Sequence, residues 1–184
     1  QELASVGVGG VALRWFADYL TGRTQQVVVG DARGSTEPCS RGVPQGSVLG
    51  PLLFCIYIRR TPQKFQHCRA LLFADDIAFY VIGRKASTVL RMLQTDLLNL
   101  DDFLSERGLV LNPKKSQLLL LRRPTAQLDV IPSITCKGTP ESSHVLYLGL
   151  LLDSSLSFEQ QVERVCAKAQ CKVASFRHGR RDVS

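Results

Sequence analysis

The chain has 184 residues, 45% of them hydrophobic, enough for one substantial core and too few for two comfortable domains. Its 23 Lys and Arg against 16 Asp and Glu give a net charge of +7 and an isoelectric point near 9.3, a surplus that suits an anionic partner, nucleic acid first in line. No apolar run approaches the roughly 20 residues of a helical membrane span, and nothing at the start resembles a signal peptide.

With Gln1 first and its one methionine, Met92, far inside, the sequence is expected to be a piece of a longer protein. Cysteines stand at 39, 55, 68, 136, 166 and 171 with no C-x-x-C pair, so a zinc ribbon is not indicated. Cys166, Cys171 and His178 form at most a partial metal set. Reduced, mostly buried thiols in an intracellular protein are the simpler expectation.

In chain order, "GGVALRWFADYLTGR" predicts a helix with Val11, Trp15 and Leu20 as its apolar stripe and Gly22 at the C-terminal cap. "TQQVVVGDARGSTEP" predicts a hairpin turning near Gly30 and Asp31. "CSRGVPQGSVLGPLLFCIYIRR" starts with three glycines and a proline between Gly42 and Gly50, a backbone suited to close approach. Its continuation, Leu52 to Ile58, is unbroken apolar, a core helix or strand.

"RALLFADDIAFYVIG", residues 69–83, sets Asp75 and Asp76 inside an apolar run that predicts two short strands joined at the acidic pair. Two touching carboxylates buried without a partner would cost several kcal/mol or more, so a cation is their expected companion. Hard oxygen ligands suit Mg²⁺ or Mn²⁺. Two such ions about 3.5–4 Å apart can serve phosphoryl transfer, but that needs a further carboxylate from a neighbouring strand. Alone, such a pair is common and a weak signal, and a solvated turn is the simpler account.

"STVLRMLQTDLLNLDDFLSERGL" predicts the clearest helix, with Val89, Leu93, Leu97, Leu100 and Leu104 on one face and Gly108 at its end. Asp101 and Asp102 fall on its polar side, as a solvated face. "GLVLNPKKSQLLLLRR" predicts a turn at Asn112 and Pro113 leading into a strand. "HVLYLGLLLDSSLSF" predicts two more short strands or one bent one. Residues 158–176 are helical by pattern, with Val162, Val165, Ala169, Val173 and Phe176 on one face. Arg164, Lys168 and Lys172 line up beside that face as one exposed stripe. The order of elements predicts an α+β fold with an antiparallel sheet.

Four stretches in order, "RGVPQGSVLGPLLFCIYI", "FADDIAFY", "GLVLNPKKSQ" and "YLGLLLDSSLSF", resemble the reverse transcriptases of non-LTR (LINE-type) retrotransposons over nearly the whole chain. The resemblance implies a polymerase palm-type antiparallel sheet packed on helices, incomplete at the N-terminus. Residues 1–157 would be partial fingers and palm, and residues 158–184 the start of a helical thumb. It implies that Asp75 and Asp76 bind the catalytic Mg²⁺ ions, with Asp75 the leading direct ligand. Pro44, Gln45 and Gly46 would lie near template and incoming nucleotide, where Gln45 offers both a donor and an acceptor. Lys115 would lie near the departing pyrophosphate, where an ammonium stabilises charge or donates a proton.

The implied reaction is attack of a primer 3′-hydroxyl on a deoxynucleoside triphosphate, directed by an RNA template. The basic surplus, Arg164, Lys168 and Lys172 included, would meet the nucleic-acid backbone. The alternative is a non-catalytic remnant of such an element that at most binds nucleic acid. The family's first catalytic aspartate and its sugar-selecting aromatic residue belong to a strand before the opening helix, so the chain by itself is expected not to polymerise. Arg59 to Pro62 replace an Asn-Asp-Leu-Pro-like turn, Leu146 a lysine, and Gln161 a histidine. These peripheral departures point to divergence or decay more than to a new activity.

Overall fold

The computed structural model describes residues 1–121 and 142–179, which divide into two compact units, Gln1–Tyr80 and Val81–Ser184. Cys136 and the end of the strand expected before Arg123 lie outside the described residues.

In the first unit, α1 (Gly10–Leu20) follows a short 3₁₀ turn, Ala4–Val6. Thr21 closes it: its amide and its hydroxyl both donate to the Ala17 carbonyl, at 3.1 and 2.8 Å. Gly22 then takes φ +65°, the left-handed conformation that a Cβ disfavours, as expected at this cap. The predicted stripe is not a core face. Val11 and Trp15 are exposed and Leu20 is half-buried. Trp15 instead stacks on Tyr19 at 5.2 Å between centroids and meets Phe16 edge-on at 5.1 Å.

Strands β1 (Thr24–Val29) and β2 (Ala32–Pro38) pair antiparallel around Gly30 and Asp31, with φ +59° at Gly30. A positive φ at the first of two loop residues suits the right-handed twist of a hairpin, and glycine is the residue that supplies it. The register shifts between Gln26 and Val28, and every residue of the ribbon is exposed, Val27 by 72%.

Helix α2 (Gly50–Ile58) settles the apolar run as a helix rather than a strand. Pro51 stands in its first turn, where no amide partner is lost, and Gly50, Leu53 and Ile58 are buried. A second 3₁₀ turn, Thr61–Lys64, begins with the buried Thr61 hydroxyl donating to the Ile58 carbonyl at 2.6 Å. Strands β3 (Arg69–Phe73) and β4 (Asp76–Tyr80) form the acidic hairpin, and Phe79 packs on Phe65 with centroids 5.0 Å apart.

In the second unit, α3 (Ala86–Glu106) buries Leu90, Asp96, Leu100, Phe103 and Leu104. The buried face is thus rotated from the expected stripe toward Phe103 and Asp96, and Val89, Leu93 and Leu97 are half-buried. Its end is a Schellman motif. Leu109 N–H donates to the Leu104 carbonyl and Gly108 N–H to that of Ser105, both at 2.9 Å, with Gly108 at φ +69°. Asp102 is exposed as expected, whereas Asp101 is half-buried and partnered.

Beyond the Asn112 turn, the expected strand is reduced among the described residues to one bridge residue, Leu118, whose carbonyl accepts from Ser142 N–H at 2.8 Å. Strands β5 (His144–Tyr147) and β6 (Leu150–Asp153) form a third hairpin through Leu148 and Gly149, both with positive φ. Helix α4 (Glu159–Gly179) follows.

The result is a mixed helix and antiparallel-strand architecture. Among the described residues, the sheet consists of three separate two-stranded ribbons rather than one continuous surface. Each ribbon is closed locally by a two-residue loop, the connection that demands least of the chain. The expectation of mostly buried thiols is also corrected. Of the five described cysteines none is buried: Cys39 and Cys68 are half-buried, and Cys55, Cys166 and Cys171 are exposed.

Candidate functional site

The acidic pair sits where the apolar strands require a reversal. Leu72↔Ile77 and Phe73↔Asp76 are the last register pairs, so Ala74 and Asp75 make the turn and Asp76 opens β4. Ala74 has φ +51°, a conformation that an L-residue adopts at a cost and that tight functional turns often hold. Asp75 and Asp76 are both exposed. Water therefore offsets their mutual repulsion, and the expected cost of burying an unpaired charge does not arise here. Each carboxylate offers hard oxygen donors of the kind that a divalent ion such as Mg²⁺ takes. Among the described residues, no cluster of three or more His, Cys, Asp or Glu capable of holding a metal forms, around them or around Cys166 and Cys171.

Pro44, Gln45, Gly46 and Ser47 form a β-turn. Ser47 N–H donates to the Pro44 carbonyl at 3.4 Å, and Gly46, the third residue, has φ +79°. This is the type II pattern, which calls for glycine at that position. A Cβ on Gly46 would meet nothing within 4 Å, so within this chain glycine is required by backbone conformation rather than by close packing. Gln45 and Gly46 are exposed at the apex and Pro44 is half-buried.

Downstream, the Ser47 hydroxyl accepts from Gly50 N–H at 3.0 Å and binds the turn to the start of α2. Gly50 is buried there, where a Cβ would come within 3.1 Å of the Ser47 oxygen. Upstream, Arg23 donates from Nη2 to the Gly42 carbonyl at 2.6 Å and to the Arg41 carbonyl at 3.3 Å, and from Nε to the Leu20 carbonyl at 3.2 Å. Sequence reasoning missed Arg23, because an arginine just after a helix carries no motif of its own.

Lys115 belongs to the second unit, in a turn organised by Asn112. The Asn112 side-chain oxygen accepts from Lys114 N–H at 3.1 Å, and its carbonyl accepts from Lys115 N–H at 3.1 Å and Ser116 N–H at 3.0 Å. Such side-chain capture of the following backbone explains why Asn precedes proline here. Lys114 and Lys115 are both exposed.

In α4, Lys168 and Lys172 are exposed but Arg164 is half-buried, which corrects the expectation of one uniformly exposed stripe. The reason lies one turn earlier. Gln161, on the same helix line, accepts from Leu151 N–H of β6 at 2.9 Å and holds this edge of the helix to the hairpin. The expected apolar face is largely in water, with Phe176 80% exposed.

Between β6 and α4 stands another residue that the sequence did not flag. Asp153 accepts from the Ser155 hydroxyl at 2.5 Å and from the amides of Ser155, Ser157 and Phe158 at 2.9, 3.0 and 2.9 Å. The Ser155 hydroxyl first, then the Ser157 amide, hold its carboxyl well below the usual carboxylate range, against a smaller opposing effect of desolvation. The loop it gathers contains two non-glycine residues at positive φ, Leu156 and Phe158. The signal was present as the D-S-S-x-S spacing, in which a carboxylate precedes several free donors.

A family model described as reverse transcriptase (RNA-dependent DNA polymerase) matches residues 1–152, and the chain belongs to that family. It is 30% identical over 165 residues to a probable RNA-directed DNA polymerase from transposon X-element of Drosophila melanogaster, an alignment covering 85% of this chain and 18% of that protein. It is 26% identical over 165 residues to the RNA-directed DNA polymerase from mobile element jockey of the same species, with the same coverage. A probable RNA-directed DNA polymerase from transposon BS is 29% identical over 171 residues, 86% of this chain and 18% of its own length. The chain thus spans less than a fifth of the length of these relatives. No solved structure matches it. The resemblance drawn from the four motifs is the one that the comparisons find.

Proposed function

We propose that this chain is the palm-centred part of an RNA-directed DNA polymerase, with residues 1–157 contributing fingers and palm and residues 158–184 opening the thumb. The observation that carries it is the acidic pair at the exposed tip of an antiparallel hairpin, in a chain whose family match spans residues 1–152.

Asp75 and Asp76 supply carboxylate oxygens for Mg²⁺ or Mn²⁺. A divalent ion held there would activate a primer 3′-hydroxyl and offset charge on the triphosphate. Gln45 and Gly46 present an exposed apex to template and deoxynucleoside triphosphate. Lys115 meets negative charge at the departing pyrophosphate, and Arg164, Lys168 and Lys172 meet the phosphate backbone of RNA template and DNA primer. No described helix is long and apolar enough to cross a membrane, and an intracellular setting is the one that suits these partners.

The test is primer extension on an RNA template with Mg²⁺ or Mn²⁺, using this chain and a longer polypeptide that contains it. Incorporation by the longer polypeptide, abolished by Asp75→Ala, supports the reading. Incorporation that survives Asp75→Ala and Asp76→Ala together refutes it.

A second reading, a non-catalytic nucleic-acid binder, is favoured by the lack of a third clustered carboxylate among the described residues. Binding of a primer–template without incorporation by either polypeptide would select it. Incorporation by the 184-residue chain alone would instead show that a residue within it completes the metal set.

A further inference from the structure

We propose that Arg23 is a positioning residue for the Pro44–Ser47 turn, locking its upstream arm so that Gln45 is presented to template or nucleotide in one orientation. This rests on the polymerase reading of that turn. Downstream, the turn is held to α2 through Ser47, and Val43 lies 3.5 Å from where a Gly50 Cβ would stand. Upstream its neighbour is Gly42, at φ +79°, a residue whose backbone would otherwise explore several conformations.

The Arg23 side chain removes that freedom. One Nη2 holds two successive carbonyls, those of Arg41 and Gly42, while Nε on the same rigid plane holds the carbonyl of Leu20 at the end of α1. The Arg23 carbonyl also accepts from Cys39 N–H at 2.7 Å, so backbone and side chain of one residue fix the entry to this loop at two points. A lysine has one nitrogen on a flexible stem and cannot reproduce that fork. Between the two anchors the described chain exposes only the apex, Gln45 and Gly46, beside a half-buried proline. An apex clamped on both sides and left open at its tip is arranged to meet something outside the chain.

The experiment has two arms on the 184-residue chain. Amide exchange is measured in wild type, Arg23→Gln and Arg23→Lys. Loss of charge-assisted bonds to the loop carbonyls should speed exchange at Ser47 about tenfold in Arg23→Gln, with Arg23→Lys between, and leave Leu53 within α2 unchanged. No change at Ser47, or an equal acceleration at Leu53, overturns the clamp. In the second arm, binding to a primer–template with a single-stranded template overhang is compared with binding to the blunt duplex. Arg23→Gln and Gln45→Ala should each erase the preference for the overhang, and the double variant should be no worse than either. Additive losses would overturn the positioning role. A wild-type chain without any overhang preference would overturn the template-contact reading of the turn, and the exchange arm would then judge the clamp by itself.

Discussion

Ala74→Gly should stabilise the acidic hairpin, and the expected gain can be worked from the turn. Ala74 is exposed and is the first of the two residues between Phe73 and Asp76, at φ +51°. Holding an L-residue in the left-handed region costs roughly 1–2 kcal/mol. Glycine removes that cost, but ordering the freer chain on folding takes back about 0.5–1 kcal/mol. The exposed methyl adds little on either side. The net is a gain of about 0.5–1 kcal/mol, a rise of roughly 1–4 °C in melting temperature for a chain of this size. Locally, amide exchange in β3 and β4 should slow about two- to fivefold. Ala74→Val is the matched control, since a β-branched side chain is least tolerant of positive φ and should lower the melting temperature. A loss of stability in Ala74→Gly, or no effect of Ala74→Val, would refute the claim that the turn stores backbone strain at the carboxylates.

Leu100 is 1% exposed on α3, so Leu100→Ala should cost about 2–5 kcal/mol and lower the denaturant midpoint, whereas Leu98→Ala at an exposed position of the same helix should leave it nearly unchanged. Asp153 has a native pKa below its unfolded value, so its contribution is present above the unfolded value, near pH 3.9, and is lost as pH falls toward the native one. Asp153→Asn should therefore flatten the acid side of the stability curve below about pH 4, and an unaltered acid limb would show that the loop bonds do not favour the ionised form. If α4 meets nucleic-acid backbone, replacing Arg164, Lys168 and Lys172 by alanine should lower the salt slope of binding by about one unit for each phosphate that is no longer neutralised. Binding with an unchanged slope would mark the stripe as a solvated face.

Local features were the most legible. Gly22, Gly30 and Gly108 each mark a reversal or helix end where only a residue without Cβ is at ease, and each takes positive φ. The acidic hairpin was placed by the apolar runs on either side of Asp75 and Asp76. Burial was less legible, because periodicity reports a preference for one side of a helix and not what covers it. Val11 and Trp15, or Val162 and Phe176, have the spacing of a core face and yet are exposed. Conversely, Asp96 is buried within α3, where its partner and not its polarity decides its place. Two-residue loops with non-glycine residues at positive φ, Ala74 and Leu148, also escape a turn vocabulary built on Asn, Asp and Gly. The hydrogen bonds of Arg23 link positions 18 and 19 residues apart, a separation at which no local rule operates.

The departures that the resemblance implies at Arg59–Pro62, Leu146 and Gln161 fall on residues with contacts of their own. Gln161, which the resemblance reads as replacing a histidine, accepts from the Leu151 amide through its side-chain oxygen, a bond that an imidazole nitrogen could also make. A half-buried backbone donor left without a partner costs about 1–3 kcal/mol, so this exchange keeps a contact that the helix and hairpin need. Arg59 and Arg60 both pair with Glu2 at 3.6 Å, and Arg59 also donates to the Ser5 hydroxyl. Glu2 and Arg59 are half-buried and Arg60 is exposed, so these pairs tie the start of the chain to the end of α2 with a contribution on the order of 1 kcal/mol. Leu146, where the resemblance expects a lysine, is half exposed on β5 opposite Leu151 and makes one apolar cross-strand pair there. Of the three, Gln161 makes the contact with the clearest structural consequence, since it joins the first turn of α4 to β6 through an acceptor that the part-buried Leu151 amide would otherwise lack.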